Sequence, residues 1–470
     1  MTARRSKRSG SGACLSAREV VVVLGGGAAG YFAAIRAAEL AGPAARVLLL
    51  EATATPLQKV RISGGGRCNV TNATTDPAVL ATKYPRGAKE LRGVLSKFGP
   101  RETMQWFESR GVALKAEPDG RVFPTTDDSE TICACLEREA ARVGVEVRTG
   151  ATVARVERVA RPFPDQALPT PVPPPAFRLR LKDGSTLDAA AFCIATGSNP
   201  HGLALARALG HEVVPGVPSL FTFDVRDPRL DGLAGVSVER VRAKAIVGDE
   251  TFEQEGPLLV THWGLSAHAV LRLSAWGARA FHAAGYRARL VVDLAPDVPE
   301  PQLRARLDAM RRERPAAAVA AHPVVDVPRR LWERLCEAAL AESTPRRPTR
   351  LGADEPPGRG GGSTSAGATA RWGELSSRAT QALLDQVKRA TFDVTGKGPF
   401  REEFVTAGGV SRKEVDWRTM ESKLAPGLYF AGEALDVDAL TGGFNLQNAW
   451  STGWLAGSAM AARVAPRIGT

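Results

Sequence analysis

Residues 19–35 read EVVVVLGGGAAGYFAAI, and no other stretch constrains the fold as tightly. The run of branched apolar residues suits a strand buried on both faces of a parallel sheet. Gly25, Gly27 and Gly30 then form G-x-G-x-x-G, and an Ala-rich helix runs on to Gly42 and Pro43. A second strand from 46 to 50 ends in Glu51, twenty-one positions after Gly30. Each part has a physical task. The first glycine permits a tight turn, the second lets backbone approach a pyrophosphate, and the third lets helix and strand pack closely. The acid accepts from ribose hydroxyls, and the helix N-terminus aims N–H groups and a positive dipole end at phosphate. A plain glycine turn would need neither the flanking strands nor the acid.

Composition narrows the class. The chain has 470 residues, with 44% hydrophobic and 24% charged, as in an ordinary globular protein with ample cores. No apolar run nears the roughly 20 residues that span a bilayer, so no membrane partner is expected. Cysteines stand at 14, 68, 133, 135, 193 and 336 without a C-x-x-C, so no metal site and no dithiol are expected, and a reducing cytoplasm fits. The net charge of +12 invites a nucleic-acid reading. Much of it lies in Arg4, Arg5, Lys7 and Arg8 and in the arginines of 346–371, which leaves about +5 elsewhere.

Texture divides the chain. Residues 1–18 read as a disordered basic tail. Residues 19–208 and 404–470 read as one α/β dinucleotide domain, split by an insert over 209–403. Within the insert, 214–296 and 390–403 read as β-rich and 297–389 as helical, with a disordered Pro/Arg/Gly/Ser loop over 344–372. Residues 160–176 read as an extended Pro-rich loop.

Two further glycine clusters carry chemistry. KVRISGGGRCNVTN at 59–72 offers successive backbone N–H groups to an anion or flat ring, with Lys59, Arg61 and Arg67 to balance phosphate and Asn69 and Asn72 to bond a heterocycle edge. A glycine-rich surface turn is the alternative. GLYFAGE at 427–433 places Gly432 and Glu433 at a strand end, where α/β folds bind ligands, and TGGFNLQNAW at 441–450 opens a helix near Asn445. A capped packing helix is the alternative there.

Together with GRVFP at 120–124, THWGLS at 261–266, VTAGGV at 405–410 and TMESK at 419–423, these motifs resemble one family from about 20 to 465. It is the BaiN/RdsA-type (aminoacetone-oxidase-like) family of NAD(P)/FAD-dependent oxidoreductases. The resemblance implies an α/β fold, in which a glutathione-reductase-like FAD-binding Rossmann domain is interrupted by a β-barrel and a helical subdomain. It implies FAD as cofactor and NAD(P)H as transient reductant. It places Gly25, Gly27, Ala28, Ala29 and Gly30 on the pyrophosphate, Glu51 on the adenosine ribose and Val153 by the adenine. Lys59, Ser63, Gly64, Gly65, Gly66, Arg67 and Asn69 would wrap the cofactor, and Ala195, Thr196 and Gly197 would close over it. Gly432 and Glu433 would meet the ribityl chain, and Gly443 and Asn445 the ring. One departure is visible: THWGLS is followed by Ala267 and His268 where the family has Gly-Pro.

Cys68 and His262 are the candidates for proton transfer, each against a packed or structural alternative. The implied reaction is NAD(P)H-driven reduction of an activated C=C. The candidate substrates are a uracil of ribosomal RNA, giving dihydrouridine, and a small enone. An amine oxidase and an FAD-dependent RNA-binding protein without strong redox activity are the other readings.

Overall fold

The computed structural model describes residues 18–159, 176–343, 370–399 and 405–465. The tail before residue 18, the Pro-rich loop up to 175 and the insertion over 344–369 lie outside them. The chain forms two units, one from residues up to 215, 408–437 and 442–470, the other from 216–407 and 438–441.

The first unit is built on a seven-stranded sheet. Its order is Val415–Asp416, Glu421–Ser422, Leu428–Phe430, Ala191–Ile194, Glu19–Leu24, Ala45–Leu50 and Glu146–Arg148. The strands from Leu428–Phe430 to Glu146–Arg148 are parallel, and the two outer pairings are antiparallel. Val21, Val22 and Val23 are fully buried, as a central parallel strand requires. Helices Ala28–Ala41 and Phe444–Val464 pack against each other through bare backbone. A Cβ at Gly453 would stand 2.5 Å from the Ala29 carbonyl oxygen, and one at Gly457 the same distance from that of Ala33.

At the antiparallel edge, a buried histidine joins distant segments. His211 Nδ1 lies 3.0 Å from Glu414 Oε2, and its Nε2 lies 2.9 Å from Ser422 Oγ. The same Glu414 oxygen accepts from the Glu212 N–H at 3.0 Å. Burial holds the imidazole below its ordinary value, against the pull of Glu414.

The second unit is a closed barrel of six strands in the order Phe223–Val225, Gly264–Ser266, Glu250–Thr261, Ser237–Val247, Ala288–Asp293 and Ala390–Lys397. Strand Ser237–Val247 alternates, with Val238, Val241, Ala243, Ala245 and Val247 inward, and slips register between Val238 and Val241. Helices Glu300–Glu313, Arg329–Ser343 and Ser377–Lys388 pack with it, the last capped by Ser376 Oγ accepting from the Ala379 N–H at 3.0 Å.

Two expectations change. The β-rich stretch 214–296 contains helices His268–Trp276 and Ala278–Ala283, because Ala269, Val270 and Leu273 fall on one face that buries. The end of the expected loop is ordered: Trp372 is 0% exposed and its backbone N–H donates to the Ala317 carbonyl oxygen at 3.0 Å, since burying a large apolar ring outweighs the polar composition around it. No helix among the described residues is long and apolar enough to cross a membrane.

Two outcomes follow. Ala267 holds φ +73° and ψ −174°, a backbone region nearly reserved for glycine. Ala267→Gly should stabilise the protein by about 1 kcal/mol, read as a higher denaturant midpoint. For His211, the unfolded chain binds a proton more readily than the folded one. Its contribution is therefore whole above the ordinary 6.5 and drains as pH falls below it. The thermal midpoint of the wild type should drop between pH 7 and about 5 more steeply than that of His211→Gln. Parallel profiles would contradict this assignment.

Candidate functional site

Strand register builds the site. Leu24 is level with Leu50 on one side and Ile194 on the other, and Ile194 is level with Phe430. Backbone pairing continues one step beyond. Gly25 N–H donates to Leu50 O at 2.8 Å, Ala195 N–H to Leu24 O at 2.8 Å, and Ala431 N–H to Ile194 O at 3.2 Å. Gly25, Glu51, Ala195 and Gly432 thus leave the sheet from one carboxyl-terminal edge, the place where open α/β sheets hold ligands.

The first turn is tight for internal reasons at two glycines and for none at the third. Gly25 has φ +109°, and a Cβ there would lie 2.5 Å from the Ala195 carbonyl oxygen. A Cβ at Gly30 would collide with the Gly25 carbonyl oxygen. At Gly27 a Cβ would meet nothing within 4 Å, so the space before the helix is open. The N–H groups of Ala28, Ala29 and Gly30 open that helix, where no intrahelical acceptor exists. Glu51 is fixed beside the turn. Its Oε2 accepts from the Gly26 N–H at 2.8 Å, and its Oε1 from the Thr53 N–H and hydroxyl, each at 2.8 Å. The Ala151 N–H donates to the Glu51 carbonyl at 2.8 Å, which brings the buried Val153 strand alongside.

The second cluster forms a loop. Ser63 Oγ donates to Val60 O at 2.8 Å, and the Cys68 N–H closes onto Ser63 O at 2.9 Å. Between them Gly64, Gly65 and Gly66 all hold positive φ, and a Cβ at Gly65 or Gly66 would meet nothing within 4 Å. The third cluster docks onto it. With its amide oriented to satisfy both ends, Asn69 accepts from the Gly443 N–H at 2.9 Å and donates to Thr71 O at 3.0 Å. Trp450 Nε1 donates to Val70 O at 2.9 Å, and Tyr84 donates to Phe444 O at 2.7 Å. Asn445 therefore stands in the first turn of a helix whose N-terminus is anchored at Asn69.

Two links tie these clusters to the sheet edge. A Cβ at Gly432 would lie 2.8 Å from that of Ala29, and the Gly432 N–H donates to Thr452 Oγ1 at 2.8 Å. Lys59 Nζ lies 2.6 Å from Glu433 Oε2, and a Cβ at Gly197 would lie 3.4 Å from that same oxygen. The Gly25 turn, Ala195, Thr196, Gly197, Gly432, Glu433 and Lys59 are therefore neighbours, as are Asn69, Gly443 and Asn445.

Arg61 and Arg67 do not stand free to balance phosphate. Arg61 pairs with Glu130 and, at 3.1 Å, with Glu137. Arg67 pairs with Glu117 at 2.8 Å and Asp127 at 3.5 Å, and stacks on Phe123 at 4.0 Å. A basic residue in sequence carries no mark of the carboxylates that later surround it. Cys68 is fully buried, and burial pushes its thiol up to about 12, so it stays protonated at neutral pH. His262 belongs to the second unit, exposed in the turn between Glu250–Thr261 and Gly264–Ser266.

Sequence reasoning passed over Gly26, Thr53 and Asn448. Gly26 is the variable position of the motif, yet a Cβ there would press on the Glu51 side chain at 2.9 Å. Thr53 fixes the acid. Asn448 is 2% exposed, and its Oδ1 has no hydrogen-bond partner among the described residues. Its spacing from Asn445, on one helical face, was the available signal. Thr196 Oγ1 is likewise buried and without a partner.

Gly30→Ala should cost about 2–4 kcal/mol, because the atom it meets is backbone and cannot turn away. Gly27→Ala should leave the unfolding midpoint of the ligand-free protein within about 0.5 kcal/mol of wild type. Chemical denaturation of the two variants side by side checks the contrast.

The family model described as HI0933-like protein Rossmann domain matches residues 19–459. The chain is 32% identical over 443 residues to the 3-dehydro-bile acid delta(4,6)-reductase of Clostridium scindens, covering 94% of this chain and 98% of that protein. It is 29% identical over 446 residues to the ribosomal RNA dihydrouridine synthase of Escherichia coli, covering 92% and 96%. The corresponding synthase of Haemophilus influenzae is 26% identical over 435 residues, covering 92% and 96%. The chain belongs to the HI0933-like Rossmann family and is an oxidoreductase.

Proposed function

We propose that this chain is an FAD-dependent reductase that saturates a carbon–carbon double bond conjugated to a carbonyl, with NAD(P)H as the reductant. The observation that carries the cofactor assignment is Gly27. Among the described residues nothing lies within 4 Å of a Cβ there, and the open space before the helix suits a pyrophosphate. Buried Asn448 keeps a polar atom with no partner among the described residues, as a site completed by a bound group would. When bound, FAD supplies hydride transfer.

The chain's own residues hold and orient. Backbone N–H groups of 27–30 receive the pyrophosphate, and Glu51, braced by Gly26 and Thr53, accepts from the ribose. Val153 lines the adenine end. Ser63, Gly64, Gly65, Gly66 and Asn69 wrap the middle and far end, while Ala195, Thr196, Gly197, Gly432 and Glu433 border the linking chain, with Lys59 across them. Gly443 and Asn445 present the second helix N-terminus, whose dipole favours negative charge at the ring edge. The sequence has no second G-x-G-x-x-G after a strand, so the nicotinamide binds transiently. Of the two candidates for the accompanying proton, His262 is exposed and Cys68 is sealed. His262 keeps the donor reading, and Cys68 is a packed thiol.

The relatives named above differ in substrate and agree in bond type. One name describes a reductase of steroid-like double bonds, the others the saturation of a uracil ring. We take the substrate of this chain to be a conjugated C=C, and the two relatives named as ribosomal RNA dihydrouridine synthases support a uracil of ribosomal RNA as the first reading. The 32% identity to the bile acid reductase favours a small enone as the second reading.

Anaerobic addition of NADPH or NADH should bleach the visible flavin absorbance of the purified protein; unchanged absorbance would refute the reductase. Gly27→Leu should purify colourless with wild-type helical content. Ribosomal RNA from cells lacking the gene should lose dihydrouridine. Unchanged dihydrouridine, with bleaching intact, would leave the small enone.

A further inference from the structure

Asn448 stands apart from the site residues already assigned. It lies one turn inside helix Phe444–Val464, is 2% exposed, and its Oδ1 meets no donor. Leaving a buried amide oxygen unpaired is costly, so its retention calls for a donor that the described residues do not provide. Its neighbours are committed elsewhere: Thr452 Oγ1 accepts from the Gly432 N–H at 2.8 Å and donates to the Asn448 carbonyl at 2.5 Å. Gln447 turns away to Thr103 at 2.9 Å and Ser451 at 2.8 Å.

Position and chemistry together select the donor. On one side, Gly443 and Asn445 mark the helix end assigned to the ring. On the other, a Cβ at Gly432 would lie 3.8 Å from Ala449 and 2.8 Å from the Cβ of Ala29, in the first turn of the helix assigned to the pyrophosphate. Along the helix, Asn448 thus lies between Asn445, assigned to the ring, and Ala449, which borders Gly432. Phosphate oxygens only accept, and so does an amide oxygen, so they do not pair. The polyol chain that joins ring to phosphates is lined with hydroxyl donors. The terminal torsion of asparagine is soft, and a modest rotation turns Oδ1 toward an incoming group.

We propose that Asn448 is a cofactor-contacting residue whose amide oxygen accepts a hydrogen bond from a ribityl hydroxyl of FAD, setting how deeply the ring sits along the helix. This rests on the FAD reading above. The test is a fluorescence titration of the full-length apoprotein with FAD and with FAD analogues that each lack one ribityl hydroxyl. Wild type should bind one analogue roughly tenfold more weakly than FAD. Asn448→Ala should bind FAD weaker by a similar factor and no longer discriminate against that analogue, the coupling expected of a direct pair. A wild type that binds every analogue as tightly as FAD overturns the proposal without need of a variant. Equal weakening of FAD and all analogues by Asn448→Ala, with no coupling, also overturns it and makes Asn448 a packing residue. A wild type that takes up no flavin overturns the cofactor reading itself, and this assignment with it.

Discussion

The close crossing of the first and last helices is the contact on which the rest of the first unit depends. Carbonyl oxygens of Ala29 and Ala33 occupy the places where side chains at Gly453 and Gly457 would project. Helices can approach this closely only where side chains are absent, and the gain is dense packing over a long interface. Because of it, Gly432 is pressed toward Ala29 at the start of the first helix. A larger residue at either glycine would move the third cluster away from the first two.

Buried polar bonds then fix the last helix against the segments around Val70, Phe98 and Thr103. Gln447 and Ser451 bind Thr103 and the Phe98 carbonyl, and Trp450 binds the Val70 carbonyl. Apolar packing tolerates sliding by small steps; hydrogen bonds with fixed donors do not. The second glycine cluster is located by these bonds. Its own three glycines leave the loop free in conformation, and Cys68 N–H, Asn69 and Ser129 N–H close it at defined points.

The parts of the site that are local in sequence were legible from sequence. The strand, turn and helix at 19–41 and the acid at 51 follow from spacing alone, because each distance is spanned by a few turns of regular structure. The barrel followed from a family resemblance. What escaped were relations across long stretches of chain. Arg61 and Arg67 look like phosphate ligands until Glu130, Glu137, Glu117 and Asp127 fold around them. The spacing of Asn448 from Asn445 is readable, but its lack of a partner is a property of packing that spacing does not reveal. The helix at His268–Trp276 was misread because an apolar run of that length suits strand or helix equally.

The first unit is interrupted, and that bears on how the protein is made. Strands Glu19–Leu24, Ala45–Leu50 and Ala191–Ile194 leave the ribosome long before Leu428–Phe430 and the last helix. Until those arrive, one edge of the sheet has no partner and the alanine-lined groove of the first helix has no cover. The barrel is nearly contiguous in the chain, so it can close first and draw the two separated pieces near each other, shortening the loop that the sheet must close. A nascent chain stalled late in synthesis would thus carry a finished barrel and a half-built sheet with one edge still unpaired.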